Sequence, residues 1–295
     1  MADLRDMELL AALARNMHFA RAAAECGISQ PAFSARIRNL ERDLGAPIVK
    51  RGNRFMGFTS EGEIAVRWAH RMIADAQGLR QEIEAARGLI SGRLTIGVIP
   101  TALPYVAKIA ADVHKIHPAL LLQVFSRSSR EISQGLEDFS LDAGVTYLES
   151  QMPAGCSTRH LFDERYEMLV PRELYSGPGT EISWVDAARL PLCLLTRNML
   201  NRKIMDDAFA SAEVAPNLVM ETNAFTAALS QVANGTAATI VPEMLSETIS
   251  VKTEIVRLKL VEPAIAKPIG VVILDHEPVL PSVAALMTAV EQAER

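Results

Sequence analysis

The sequence predicts an α+β N-terminal winged helix-turn-helix with a long linker helix, followed by a two-lobed α/β domain. Three observations carry this reading. Residues 4–44 hold three helical patterns, the last two separated by a glycine turn; residues 65–90 repeat apolar side chains in three- and four-residue steps; and from residue 91 strand-like and helix-like segments alternate.

The first helix follows from Met7, Leu9, Leu10, Leu13 and Met17, which recur at helical spacing between Leu4 and Met17. The alanine-rich run FARAAAECG gives a second helix closed by Gly27. Gly27-Ile28-Ser29 then forms a three-residue turn. Ser29 is suited to cap the next helix, and Pro31 is tolerated in its first turn, where the missing N–H has no partner to lose. The third helix runs from Gln30 to Leu44 and stops at Gly45. Its apolar residues Phe33, Ile37, Leu40 and Leu44 share one face, leaving Gln30, Ser34, Arg36 and Arg38 to point elsewhere. Next, PIVKRGNRFMGFTSEG alternates apolar and basic residues around Gly52-Asn53, the pattern of a small basic hairpin, or wing.

Ala65, Ala69, Met72, Ala76, Leu79, Ile83, Ala86 and Ile90 extend over more than three heptads and predict one helix of about 28 residues, roughly 40 Å long, with a dimerisation seam. Ser91-Gly92-Arg93 breaks that helix. LTIGVIP and LLLQVFS then read as strands flanking a helix from Tyr105 to His114, and a helix from Arg130 to Leu136 precedes LDAGVTYL. YEMLVP, LCLLT, LVMET, ATIVP and GVVIL follow, with helices at 202–212 and 225–233. This alternation predicts parallel sheets in two lobes.

Composition narrows the function. The 295 residues are 49% hydrophobic with a net charge of −5, which suits a folded chain and excludes one that coats nucleic acid by bulk positive charge. The balance is nevertheless uneven: Phe19 to Ser60 is locally basic through Arg21, Arg36, Arg38, Arg42, Lys50, Arg51 and Arg54. Cys26, Cys156 and Cys193 form no CxxC or Cys/His cluster, which favours a reducing compartment over a disulfide framework. Acids at Asp3, Asp6 and Glu8 argue against a secretory leader, and the longest uncharged run, Thr222 to Pro242, is too polar for a membrane span. A cytoplasmic location is the expectation.

The runs Ser29-Gln30-Pro31-Ala32-Phe33-Ser34, Ile37-x-x-Leu40-Glu41-x-x-Leu44-Gly45 and Phe58-Thr59-x-x-Gly62 together resemble the N-terminal domain of the LysR-type transcriptional regulators. The later segments are similar to that family's periplasmic-binding-protein-like (type II) effector domain. The resemblance implies residues 1–60 as a winged helix-turn-helix DNA-binding domain, 61–90 as a dimerisation linker, and 91–295 as an effector-binding domain. Its first lobe is expected at 91–160 plus 269–295 and its second at 161–268. Three positions depart from the pattern: Ala35 stands where Arg is usual, with Arg36 one place later, Cys26 where Leu is usual, and Glu61 where Ala is usual.

Candidate DNA contacts are Ser29, Gln30, Pro31, Ser34, Arg36 and Arg38 on the recognition helix. A polar face there can read base edges in the major groove; Gln30 suits adenine, and Arg36 or Arg38 suits guanine or phosphate. Whether Ala35 or Arg36 faces the bases is left open by the sequence. Lys50, Arg51 and Arg54 of the wing suit phosphates. Effector candidates converge at strand ends: Thr101, Ser128 and Ser129 from the first lobe, and Thr196, Asn198, Arg202 and Asn223 from the second, with Arg202 suited to a small anion or carboxylate. Promoter DNA, a small-molecule effector, a homodimer or homotetramer and RNA polymerase are the implied partners.

Enzyme chemistry finds no motif. His114 and His117 lack a third metal ligand, no GxSxG, Walker A or GxGxxG run is present, and 36 residues separate Cys156 from Cys193. No catalytic residue, metal or cofactor is expected. The competing reading is a solute-binding or enzymatic α/β protein that uses the helix-turn-helix only for assembly.

Overall fold

A computed structural model describes residues 3–50, 55–247, 255–275 and 277–293. The N-terminal unit packs α1 (Leu4–Asn16), α2 (Phe19–Glu25) and α3 (Gln30–Leu44) around Leu9, Leu13, Phe33 and Ile37. Asp3 caps α1 in a capping box with Asp6. Ser29 caps α3, accepting from the Ala32 N–H at 3.4 Å. Gly27 and Gly45 both adopt left-handed backbone, where a side chain would strain the turn. Phe19, Phe33, Phe55 and Phe58 form an edge-to-face chain with neighbouring ring centroids 5.1–6.0 Å apart, fixing the wing's base to the helices. That base is an antiparallel bridge between Val49 and Phe58. The Gly52-Asn53 turn, Arg51 and Arg54 lie outside the described residues.

The motif residues have local jobs. The Glu41 carboxylate accepts from the Ile48 and Val49 N–H groups at 2.9 and 3.2 Å, tying α3 to the wing. Thr59 caps α4 (Ser60–Ala85), accepting from the Gly62 N–H and donating to the Pro47 carbonyl. Gly62 itself sits against the Ile48 carbonyl, with no room for a Cβ.

Helix α4 differs from its predicted seam. Ala69 is fully buried in a cluster with Met7, Leu10, Leu40 and Ile48, and Ala65 packs on the same cluster, so this half of the seam is consumed within the chain by α1. The exposed apolar stripe is Ile64, Trp68, Met72, Leu79 and Ile83. The helix ends at Ala85, and Ile90 packs on the next domain's core.

Beyond it come β1 (Gly92–Val98), α5 (Leu103–Ile116), β2 (Leu120–Ser126), α6 (Ser129–Glu137), β3 (Ala143–Tyr147) and β4 (Cys156–Pro171). The chain continues through β5 (Glu181–Ser183), α7 (Trp184–Ala187), β6 (Leu192–Leu195), α8 (Leu200–Ser211), β7 (Leu218–Thr222), α9 (Phe225–Ala233) and β8 (Thr239–Pro242). It finishes with α10 (Glu243–Glu247), β9 (Ile255–Val261), β10 (Ala266–Leu274) and α11 (Pro281–Ala293). One lobe orders its strands β2-β1-β3-β10-β4; in the other, β4 pairs with β8 and β9, β9 pairs with β5, and β6 pairs with β7.

The sheets are mixed, against the parallel expectation: β10 runs antiparallel to both β3 and β4, and β4 runs antiparallel to β8 and β9. The YEMLVP segment is the second half of the 16-residue β4, whose first half pairs with β10 up to Arg165 and whose second half pairs with β8 from Tyr166. The chain therefore passes between lobes at Arg165-Tyr166, within the strand, and returns between Val261 and Ala266.

Candidate functional site

On α3, Phe33, Ile37 and Leu40 face the core, and Gln30, Ser34 and Arg38 follow one another at four-residue steps on the outer side. Gln30, Pro31 and Arg38 are exposed and Ser34 is half-buried. Lys50 is exposed at the wing, its backbone N–H donating to the Gly57 carbonyl at 3.0 Å. Arg36, one of the predicted contacts, is half-exposed and has partners within the fold. Its Nε donates to Asp6 at 2.8 Å and its guanidinium also reaches Asp3, so it clasps the capped start of α1 rather than standing free. Ser29 spends its hydroxyl on the cap and positions the helix.

The two lobes meet over a small recess of about 30 Å³, room for roughly two waters. Thr101, Ser128, Ser129 and Tyr147 line it from one lobe; Met199, Asn201 and Phe225 line it from the other. The recess adjoins a wider cleft of about 1360 Å³ between α6 and α8, which shares Ser129, Tyr147 and Leu200. Thr101 follows β1 in a short 3-10 turn and is 2% exposed, its side chain beside the Glu164 carboxyl and the Tyr147 hydroxyl. Ser128 caps α6, its hydroxyl engaged with Glu131 in a capping box. Ser129 accepts from the Thr146 hydroxyl at 2.9 Å.

Second-lobe candidates fare differently. Arg202 is 1% exposed and fully engaged: Nη1 donates to the Leu195 carbonyl and to Glu221, both at 2.6 Å, and Nε donates to Asp206 at 2.8 Å. It is a strut joining α8, β6 and β7, not the predicted clamp. The helical reading put it first on its helix, whereas α8 begins two residues earlier and turns Arg202 inward. Asn198 and Asn223 are exposed and line neither space. Thr196 lies beside Leu195, outside the recess lining, with a buried hydroxyl lacking a partner.

Sequence reasoning missed Asn201, 6% exposed, whose amide nitrogen has no partner. It also missed a buried polar knot behind Thr101. Glu164, 2% exposed, accepts from the Tyr147 hydroxyl at 2.7 Å and the Tyr166 hydroxyl at 2.5 Å through one oxygen, with the Thr101 side chain beside the carboxyl. Burial pushes the Glu164 carboxyl above the usual carboxylate range. The signal available in the sequence was an acid at Glu164 in two-residue step with Tyr166, Met168 and Val170. Unpartnered buried polar atoms are costly in a dry core. Thr101 and Asn201 line the recess from opposite lobes, so a hydrogen-bonding occupant there has polar groups on both sides.

Among the described residues no group of three or more His, Cys, Asp or Glu is arranged to hold a metal, and no helix is long and apolar enough to cross a membrane.

Comparison with known proteins matches both halves. The family described as bacterial regulatory helix-turn-helix protein, lysR family, covers residues 4–63, and that described as LysR substrate binding domain covers 87–295. A probable hydrogen peroxide-inducible genes activator from Streptomyces viridosporus is 31% identical over 242 residues, 81% of this chain and 77% of that protein. The hydrogen peroxide-inducible genes activator of Pectobacterium carotovorum subsp. carotovorum is 29% identical over 65% of this chain; the match spans 64% of that relative's length, under two thirds. In fold, the chain is similar to a full-length OxyR variant from Pseudomonas aeruginosa, with a TM-score of 0.76 at 23% identity over 98% of both chains. A helix-turn-helix with a polar outer face, a two-lobed domain closed over a polar recess, and family matches over both halves lead to one conclusion: the chain belongs to the LysR family of bacterial regulatory helix-turn-helix proteins.

Proposed function

We propose that this chain is a transcriptional regulator that binds promoter DNA through α3 and the wing and is controlled by a small molecule held between its two lobes. The observation that carries the DNA half is the line Gln30, Ser34, Arg38 on the outer face of α3, beside the exposed Lys50. Polar side chains at that spacing enter a major groove together. In this reading residues 1–60 bind DNA, 61–90 link and dimerise through the exposed stripe of α4, and 91–295 sense the ligand. The strand pairings support a first lobe of 91–165 plus 266–295 and a second of 166–261, a few residues from the expected junctions. A homodimer or homotetramer presents paired α3 helices to two half-sites, and ligand binding changes their spacing and thereby contact with RNA polymerase at the promoter. A cytoplasmic setting fits these partners.

The ligand reading changes in one respect. With Arg202 occupied, the recess offers Thr101, Ser129 and Asn201 to an uncharged, hydrogen-bonding part of the ligand. The adjoining cleft carries charges of both signs, Arg130, Lys203 and Lys267 against Glu137, Glu149 and Asp207. The support therefore shifts from a small anion or carboxylate to a molecule whose inner end is uncharged. A solute-binding or enzymatic role with an ornamental helix-turn-helix finds no support.

Relatives named for hydrogen peroxide raise that signal for this chain. Attack on peroxide requires a thiolate, yet burial pushes the Cys26, Cys156 and Cys193 thiols up, and they lie in the DNA-binding unit, at the start of β4 and in the core of β6. We therefore propose a signal other than thiol oxidation. The test of the whole reading is binding of the purified chain to DNA upstream of its own gene and to random DNA across a salt series, with neutral and anionic compound sets added. Specific binding that a neutral compound modulates supports it; equal, weak binding to both DNAs at every salt concentration sinks it.

A further inference from the structure

Helix α6 lies along the cleft wall and meets the linker helix at its C-terminal end. Ser129 lines both the recess and the cleft, and Arg130, Ser133, Gln134 and Glu137 continue along the cleft wall. Nine residues, or about 13 Å, further on the helix ends at Asp138. There the Asp138 carbonyl accepts from the Nδ1–H of His70 on α4 at 2.9 Å. The adjacent Arg71 guanidinium lies 5.7 Å from the ring centroid of Phe139, which holds a left-handed backbone conformation just past the helix.

Between its ends α6 is held as one body. Ile132 and Leu136 are fully buried, and Gly97, Gly135 and Gly144 leave no room for a Cβ against Ile132 or Leu141. A displacement at Ser129 therefore carries through to Asp138 rather than dissipating in side-chain rearrangement. A void of about 40 Å³ lined by Ala74, Phe139, Leu141 and Leu280 gives this end room to slide against α4.

The receiving end has a pivot and a load. Gln81 pins α4 to the first lobe, donating to the Arg93 carbonyl at 3.4 Å and accepting from the Ser282 N–H at 3.3 Å, and Gly78 sits against Leu280. His70 lies eleven residues nearer the N-terminus, about 16 Å along the helix. Immediately before it, Ala69 is locked in the cluster that joins α4 to the DNA-binding unit.

We propose that His70 is the positioning residue through which α6 reports the state of the cleft to α4 and so to the DNA-binding unit. The inference rests on the cleft being the ligand site proposed above. Burial holds the His70 imidazole below its usual pKa, so the ring is neutral and the Nδ1 hydrogen belongs to the carbonyl contact; Asp138 and Arg15 are the charged groups that face it.

The test uses the full chain and a substitution in place of the unknown ligand. Ser129→Trp fills the recess, and hydrogen exchange is followed in residues 4–44. The expected result is a change in exchange of about threefold or more on Ser129→Trp, falling below about 1.5-fold when His70→Ala is combined with it. His70→Asn, which keeps an N–H donor near the Nδ1 position, restores the response, whereas His70→Gln, whose donor lies further out, does not. A merely structural histidine would change baseline exchange and leave the response to Ser129→Trp intact in every His70 background, which overturns the inference and spares the cleft reading. No response to Ser129→Trp in the unmodified background overturns both.

Discussion

The Arg36 guanidinium reaches back from α3 to Asp6 of α1, Nε to carboxylate at 2.8 Å, and to Asp3 beyond it. A basic residue on the recognition helix is thereby committed to holding the helix-turn-helix together, and Gln30, Ser34 and Arg38 carry the outer face. Arg36→Ala is expected to lower the stability of the N-terminal unit by about 1 kcal/mol, since its Asp6 partner is largely buried, and to weaken specific and random DNA alike. Gln30→Ala is expected to cost about 1–3 kcal/mol on the specific site with little change on random DNA. Melting curves and parallel titrations of both DNAs separate the two outcomes.

Lys50, at the base of the wing, is exposed and suited to a phosphate. Lys50→Ala is expected to reduce affinity uniformly across DNA sequences and to lower the slope of log affinity against log salt by about one. A change confined to one DNA sequence would instead assign Lys50 to base reading.

Gly62 abuts the Ile48 carbonyl so closely that a Cβ would stand 2.0 Å from its oxygen. The neighbour is backbone and cannot swing away. Gly62→Ala is expected to cost about 3 kcal/mol by forcing α4 off the wing, detected as early melting of the N-terminal unit. Gly88→Ala, with open space around it and only its left-handed backbone to strain, is expected to cost about 1 kcal/mol.

Arg202 is enclosed by the Leu195 carbonyl, Glu221 and Asp206. Its removal leaves two carboxylates facing one another and a carbonyl unpaired. Arg202→Ala is expected to destabilise the second lobe by about 3 kcal/mol and Arg202→Lys by somewhat less, because a single point-like ammonium does not reproduce the separate Nε and Nη1 positions that reach Asp206, Glu221 and the Leu195 carbonyl. Denaturant unfolding measures the loss.

The pH dependence of the domain is tied to Glu164. Burial raises its folded pKa above the 4.5 of a free side chain, so the folded state holds this proton more tightly than the unfolded state does. The stability it contributes is complete below 4.5 and is lost as pH rises through the folded value. Glu164→Gln is expected to raise the melting temperature at pH 8 by about 3 °C and to change it little at pH 4, as read by calorimetry. An equal shift at both pH values would mean that the carboxyl is not protonated when buried.

The helix-turn-helix was legible because its determinants are local: Ser29 caps, Gly27 and Gly45 turn, and Phe33, Ile37 and Leu40 mark the inner face of α3. The linker helix was legible in length but not in allegiance. Ala65 and Ala69 repeat at heptad spacing whether they meet a second copy or α1, and only the fold assigns them to α1. In the two-lobed domain, Thr101 and Ser129 follow strands and fall where strand ends converge. Arg202 was misjudged because its partners Glu221 and Leu195 are distant in sequence, and a charge on an amphipathic helix gives no sign of which side it faces until those neighbours are known. Glu164, Tyr147 and Tyr166 come from two strands, β3 and β4, that each lie antiparallel to the β10 between them, a placement no periodicity encodes. The β9 strand was missed outright, although IVRLKLV alternates apolar and basic residues.

Strand β4 is a member of both sheets, and its continuity bears on how such a protein can be re-engineered. A chimera that exchanges the second lobe for that of a relative has no linker to cut on the outward pass. Its first junction falls inside a hydrogen-bonded strand, between Arg165, paired with Ala266, and Tyr166, paired with Pro242. A graft that preserves strand register there, together with the Tyr147–Glu164–Tyr166 contacts spanning the seam, transplants ligand preference while leaving the α6 face toward α4 unaltered. One that slips by a single residue turns every side chain of the transplanted half-strand to the wrong side of its sheet.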